Sequence, residues 1–173
     1  MASRKHKSRR LSAGKPEQLR LDDFVLYLDE NLDNCKPIME ALEQQSIRYE
    51  RHQTYYARGT DDDVWLPFVG KSGWIVLTKD KRNRYNEWEK LAVQTFSVRE
   101  FYFGSGNFTG KEMAESLVRA LPELKRNYYS HEPPLVISIT RSGAITVVFD
   151  KYGSTHERRK AANVKVNNPK SIR

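Results

Sequence analysis

Two short runs constrain this chain more than any other feature. Phe24–Leu28 is apolar throughout and Trp74–Thr78 nearly so, and each is closely followed by acid. Asp29 and Glu30 follow the first run, and Lys79 and Asp80 follow the second. An unbroken run of Val, Ile, Leu and aromatic residues is the pattern of a strand buried on both faces, as strands of parallel sheets are. Parallel strands need long crossovers, and the segments between the runs have helical patterning. Ile38, Met39 and Leu42 recur at helical spacing within 35–45, and Ile47–Arg51 alternates as a second strand would. Residues 60–69 read as a helix with Trp65, Leu66 and Val69 inward, interrupted near Pro67. Residues 86–96 are helical in pattern and Phe101–Phe103 is a fourth strand. A helix runs from Thr109 to about Arg126 with Met113, Leu117 and Leu121 on one face. The alternation predicts an α/β fold with a central, mainly parallel sheet and right-handed crossovers.

The end of the chain reads differently. Leu135–Ile139 and Ala144–Phe149 flank Arg141–Gly143, which predicts a β-hairpin that either extends the sheet or forms a dimer surface.

Charge divides the chain into parts. The net charge is +8, but residues 1–15 hold six Lys/Arg and no acid, and residues 151–173 hold seven against Glu157 alone, leaving the middle acidic. Residues 1–20, without periodicity, are expected to form a disordered basic tail, and 151–173 a second basic tail. Two basic tails on an acidic body suit a polyanionic partner. No apolar run approaches the roughly 18 to 20 residues that cross a bilayer, so no membrane partner is expected. Cys35 is the sole cysteine, which excludes an intrachain disulfide framework and makes a reduced, cytoplasmic setting the default expectation. Four scattered His and one Cys argue against structural zinc.

Ligands of parallel α/β sheets bind beyond the carboxyl ends of the strands. Asp29 and Asp80 follow strands, so they share that edge. Asp61, Asp62 and Asp63 open the helix preceding the Asp80 strand and start at the same edge. Gathered carboxylates repel, and a hard divalent cation with oxygen ligands relieves the repulsion. The ordinary alternatives are local. Thr60 and Asp63 are spaced like a capping box, and Asp29 and Asp80 suit turns. Other chemistries lack their motifs: there is no G-x-x-x-x-G-K-[ST] loop and no G-x-S-x-G elbow. Tyr55, Tyr56, Tyr85, Trp88, Tyr128 and Tyr129 invite base stacking, although packing in core or rim is their commoner use.

At this point the residues resemble a family. Phe24–Leu32 is similar to the opening strand and acidic motif of PIN-like domains of the VapC toxin kind. Thr60–Pro67 and Gly73–Arg82 resemble the later acid and the strand-plus-acid motif, and Glu89–Ala92 is similar to a Glu-containing segment in the next helix. The likeness covers about residues 22–125. It implies a three-layer α/β/α sandwich in a domain of residues 21–130, with 131–150 as a hairpin extension. It implies a Mg²⁺- or Mn²⁺-dependent nuclease acting on RNA, in many members a toxin paired with an antitoxin protein, and a homodimer is compatible with it. By position, Asp29, Asp63 and Asp80 would be catalytic and metal-binding, with Asp62 the alternative to Asp63. Asn31 would support Asp29, Lys79 and Arg82 would contact phosphate, and Glu89 would assist. The pattern departs in one respect. A further acid on the helix after the second strand has no match, and Glu30, Glu87 or Glu89 would have to stand in. Two other expectations remain: a catalytically inactive binding or interaction module, and a carboxylate-metal phosphatase.

Overall fold

The computed structural model of the protein describes residues 23–79, 87–104 and 107–167. Asp80, Arg82, Tyr85 and the 1–20 tail lie outside the described residues, as do the side chains of Trp88 and Glu89.

Among the described residues one seven-stranded sheet runs in the order β2-β1-β3-β4-β5-β6-β7. Its strands are β1 (Val25–Leu28), β2 (Arg48–Arg51), β3 (Ile75–Thr78), β4 (Arg99–Phe103), β5 (Leu135–Ile139), β6 (Ile145–Asp150) and β7 (Gly153–Ser154). The first five pair in parallel, and β6 and β7 add antiparallel at one edge. The expected hairpin therefore extends the sheet, with β5 parallel to β4 on one side and antiparallel to β6 on the other. Its turn needs Gly143, whose φ of 86° lies in the left-handed region.

The helices are α1 (Lys36–Gln44), α2 (His52–Tyr55), α3 (Asp62–Ser72), α4 (Glu87–Thr95), α5 (Gly110–Ser130) and α6 (Thr155–Asn167). Alternation along the strands divides their side chains between two layers. Leu26, Leu28, Ile75, Leu77, Phe101, Phe103, Ile137 and Ile139 face α1 and α5, meeting Ile38, Leu42, Leu117 and Leu124. Tyr27, Val76, Tyr102 and Val136 face α3 and α4, meeting Trp65, Leu66, Val69 and Val93. The result is an α/β/α sandwich around a mainly parallel sheet.

Three expectations change. The helix over 60–69 is not interrupted at Pro67 but continues to Ser72, where Gly73 ends it at φ 71°. The basic segment after residue 150 is not merely a tail. In its described part it forms β7 and α6, anchored by the Thr155 hydroxyl on the Val147 carbonyl (2.7 Å) and by Arg158 on Asp150 (2.7 Å). Finally, the crossovers do not share one hand. α1 and α5 pack on each other on the same face, yet β1 to β2 and β4 to β5 step in opposite directions across the sheet. The α3 and α4 connections, on the other face and stepping opposite to β1–β2, agree with α1 in hand. The usual preference makes these three right-handed and β4–α5–β5 the left-handed exception.

Candidate functional site

The order β2-β1-β3 contains the point where the chain reverses its travel across the sheet. α1 leaves β1 on one face, and α4 follows β3 on the other. The two exits diverge, so a crevice opens beyond the carboxyl ends of β1 and β3. Asp29 sits in its floor, 8% exposed, its backbone N–H still pairing with the Leu77 carbonyl at 3.2 Å.

Four donors hold the Asp29 carboxylate. The N–H groups of Asn31 and Leu32 reach Oδ1 at 3.0 and 3.1 Å, closing the turn after β1. The Thr78 hydroxyl donates to Oδ2 at 2.5 Å from the neighbouring strand, and Asn31 Nδ2 lies at 3.5 Å from it. Burial pushes the Asp29 carboxyl up from its ordinary value, while the bonds from Thr78, Asn31 and Leu32 pull it back. Burial wins.

A pocket of about 130 Å³ lies in front of Asp29, with Glu30, Asn31, Asp62, Thr78 and Glu100 among its walls. Asp62, in the first turn of α3, turns its carboxylate to the Trp65 indole N–H at 3.1 Å although the residue as a whole is exposed. Burial of that carboxylate raises its pKa and the Trp65 bond lowers it, while Glu30, Asp61 and Asp63 raise it further. Asp63 is exposed on α3 and is not among the pocket walls. The capping alternative for this segment is not realised. Thr60 donates to the Ala57 carbonyl at 2.7 Å, and Asp61, the N-cap, makes no side-chain capping bond. Glu30 accepts the Gly59 N–H at 2.6 Å, tying the approach to α3 down to the end of β1. Lys79 is exposed immediately after β3.

Glu100 is the wall residue that the sequence reading passed over. It pairs in register with Val76 and, two residues before Tyr102, faces the α3–α4 layer. The sequence reading began the strand at Phe101. Alternation through Arg99–Phe103, with Phe101 and Phe103 on one face, would have put Glu100 on the other. Asp33 was missed as well. It is buried and accepts the Gln53 N–H and side-chain amide at 3.2 and 3.4 Å, binding the β1–α1 turn to α2.

Behind the pocket lies a buried aromatic wall. Tyr27 stacks between Trp65 and Trp74, with centroids at 5.4 and 6.2 Å, and its hydroxyl lies 3.0 Å from His52 Nδ1. His52 Nε2 faces the Ala57 carbonyl at 3.2 Å, which can only accept, so in the neutral ring Nε2 carries the hydrogen and Nδ1 accepts from Tyr27. Burial keeps the Tyr27 phenol protonated far above its ordinary range. Tyr55 and Tyr56 pack against Phe68 in the same cluster, the structural use expected of such aromatics.

The pocket's donor set suits a hard cation in kind, being carboxylate, hydroxyl and amide oxygen without sulfur. Among the described residues, no three His, Cys, Asp or Glu side chains stand close enough to form a metal cage. Asp80 lies outside those residues, so the described part fits such an ion by donor chemistry and not by a closed cage.

The comparisons with known proteins bear on the same region. Residues 25–105 match the family model of a PIN-like domain. No curated protein and no solved structure matches the chain. The matched segment runs from β1 through β4 and contains Asp29, Asp62, Thr78 and Glu100. With the α/β/α architecture and the acidic crevice at the carboxyl ends of β1 and β3, the segment 25–105 is similar to a PIN-like domain, a kind of domain generally found in nucleases.

Proposed function

We propose that the crevice is the active site of a metal-dependent endoribonuclease of the VapC-like kind, hydrolysing RNA phosphodiester bonds with an activated water. The observation that carries the proposal is Asp29 itself, a carboxylate buried at the switch point, with Glu30 beside it and acids of two other segments, Asp62 of α3 and Glu100 of β4, around one pocket. Burying a carboxylate costs stability, and sites that do so are enriched in catalytic and ligand-binding roles.

Asp29, Asp80 and an acid of α3 would hold Mg²⁺ or Mn²⁺. Asp63 is the positional candidate, and Asp62 is the one that lines the pocket. Such an ion, when bound, supplies activation of a water and neutralisation of charge on the phosphoryl group. The chain's own residues do the rest. Thr78 and the 31–32 backbone orient Asp29, and Asn31 supports it. Glu100 takes the place of the acid that the sequence pattern lacked, and Glu89 is the alternative. Lys79 and Arg82, next to the second acid in sequence, grip the RNA phosphates. Domain limits of 21–130 for the nuclease and 131–150 for the hairpin complete this reading, with a partner antitoxin and a homodimer as its expected associations. A cytoplasmic location fits it. Among the described residues, no helix is long and apolar enough to cross a membrane.

The test is cleavage of labelled RNA with Mn²⁺ or Mg²⁺ by wild type, Asp29→Asn and Asp80→Asn. Metal-dependent cleavage by wild type alone is expected. Equal cleavage by all three would assign the activity to a contaminant. RNA binding without cleavage would favour an inactive binding module instead.

A further inference from the structure

A second pocket lies at the opposite edge of the sheet, where the parallel strands begin. It is larger, about 620 Å³, within the size range of small-molecule sites. Arg99 at the start of β4, Tyr128 and Tyr129 at the end of α5, and Asp150, Lys151 and Tyr152 after β6 are among its walls.

Two of these residues have buried donors that find no acceptor among the described residues, Arg99 Nε and the Tyr129 hydroxyl. Buried donors are almost always paired, and a pair of orphans in one pocket wall calls for a missing acceptor. The Arg99 guanidinium lies 4.6 Å from the Tyr128 ring centroid, and Nη2 reaches the His131 carbonyl at 3.3 Å. Among the described residues it has no carboxylate in salt-bridge contact. The neighbouring acids are otherwise engaged, Glu132 with Lys151 at 2.7 Å and Asp150 with Arg158 at 2.7 Å. Among the described residues, Asp23 is the one carboxylate in the wall with no cation in salt-bridge contact. Burial also pushes Arg99 down from its ordinary value, with Tyr128 and Glu132 pulling it partly back. Above the pocket Tyr152 holds its ring out, 70% exposed, with Lys151 and Arg158 at its face.

We infer that this pocket binds a phosphate monoester attached to a nucleoside, its oxygens taking the Arg99 and Tyr129 donors and its planar base lying against Tyr152. Arginine presents a planar fork to such an oxyanion, and an exposed tyrosine ring is a surface on which a base stacks. The site is separate from the acidic crevice and does not depend on the nuclease reading.

The test is calorimetric titration of the full chain with adenosine 5′-monophosphate, inorganic phosphate and adenosine, all in EDTA so that the acidic crevice stays without metal. The monophosphate is expected to bind and adenosine to bind far more weakly. Arg99→Gln should weaken binding about tenfold or more, and Tyr129→Phe by a smaller factor. Asp29→Asn should leave it unchanged. A 5′-phosphorylated oligonucleotide that binds more tightly than its 5′-hydroxyl counterpart would identify the end of a polymer as the source, and equal binding of the two would identify the free nucleotide. The inference is overturned if the monophosphate does not bind, if adenosine binds equally well, or if folded Arg99→Gln and Tyr129→Phe proteins keep full affinity. Loss of binding in Asp29→Asn would overturn it too, by moving the ligand to the crevice.

Discussion

The Thr78 hydroxyl donates to Asp29 Oδ2 at 2.5 Å across the seam between β3 and β1. The last residue of one strand thus orients the carboxylate that follows its neighbour, at the place where the chain reverses direction across the sheet. The bond also opposes the effect of burial on Asp29, holding the carboxyl lower than its surroundings alone would.

Thr78→Val keeps the shape and removes the donor. The Asp29 pKa should rise further, and the loss of a bond to a buried charged group should cost about 1–3 kcal/mol of stability. On the nuclease reading, activity near neutral pH falls and the acid limb of the pH–rate profile moves to higher pH. An unchanged profile would show that the bond does not tune Asp29.

Asp29→Asn should stabilise the protein at neutral pH when EDTA removes divalent ions. A carboxyl whose folded pKa is raised binds its proton more tightly in the folded state. Its contribution is complete below the unfolded pKa and is lost as pH rises through the folded one. The amide escapes that loss. Melting curves should place the variant above wild type at neutral pH, with the gap closing in acid.

Gly70→Ala tests the approach of α3 to the end of α4. A Cβ at Gly70 would stand 2.1 Å from the Phe96 backbone carbonyl oxygen, which cannot rotate away as a side chain could. Overpacking of this kind costs about 1–3 kcal/mol, read from the denaturation midpoint. A midpoint equal to wild type would mean that the two helices separate freely.

Thr109→Ala removes the cap of α5. Thr109 accepts the Glu112 N–H at 3.2 Å, and Glu112 accepts the Thr109 N–H at 2.8 Å, a complete capping box. The substitution should cost about 1 kcal/mol. The backbone and hydroxyl of Thr109, with Arg141, hold the Glu112 carboxyl below its ordinary value. Its contribution is therefore present above the unfolded pKa and lost as pH falls through the folded one. Glu112→Gln should destabilise at neutral pH and match wild type in strong acid.

Much of this architecture was legible because it is local. A run such as Phe24–Leu28 is too apolar to alternate and too short for a helix, and an acid directly after it must lie at the strand's carboxyl end. Asp29 could be assigned to the edge of a parallel sheet on those grounds alone. The hairpin turn at Gly143 and the helix start at Thr109 were equally readable, because glycine's freedom and a capping oxygen act within a few residues.

What the sequence by itself determined is therefore β1 to β6, the helices α1, α3, α4 and α5, and the edge at which Asp29 lies, since short-range sterics and hydrophobic period settle these. Only the tertiary structure decided which acid of α3 faces the pocket. Asp62 and Asp63 are a helical step apart, and only the rotation of α3 that buries Trp65, Leu66 and Val69 separates them. It also decided that Glu100 reaches the same pocket, that β5 joins β4, and that the β4–α5–β5 unit takes the rarer hand. These follow from burial shared among segments far apart in the chain, and no local pattern of residues encodes which distant surface will cover them.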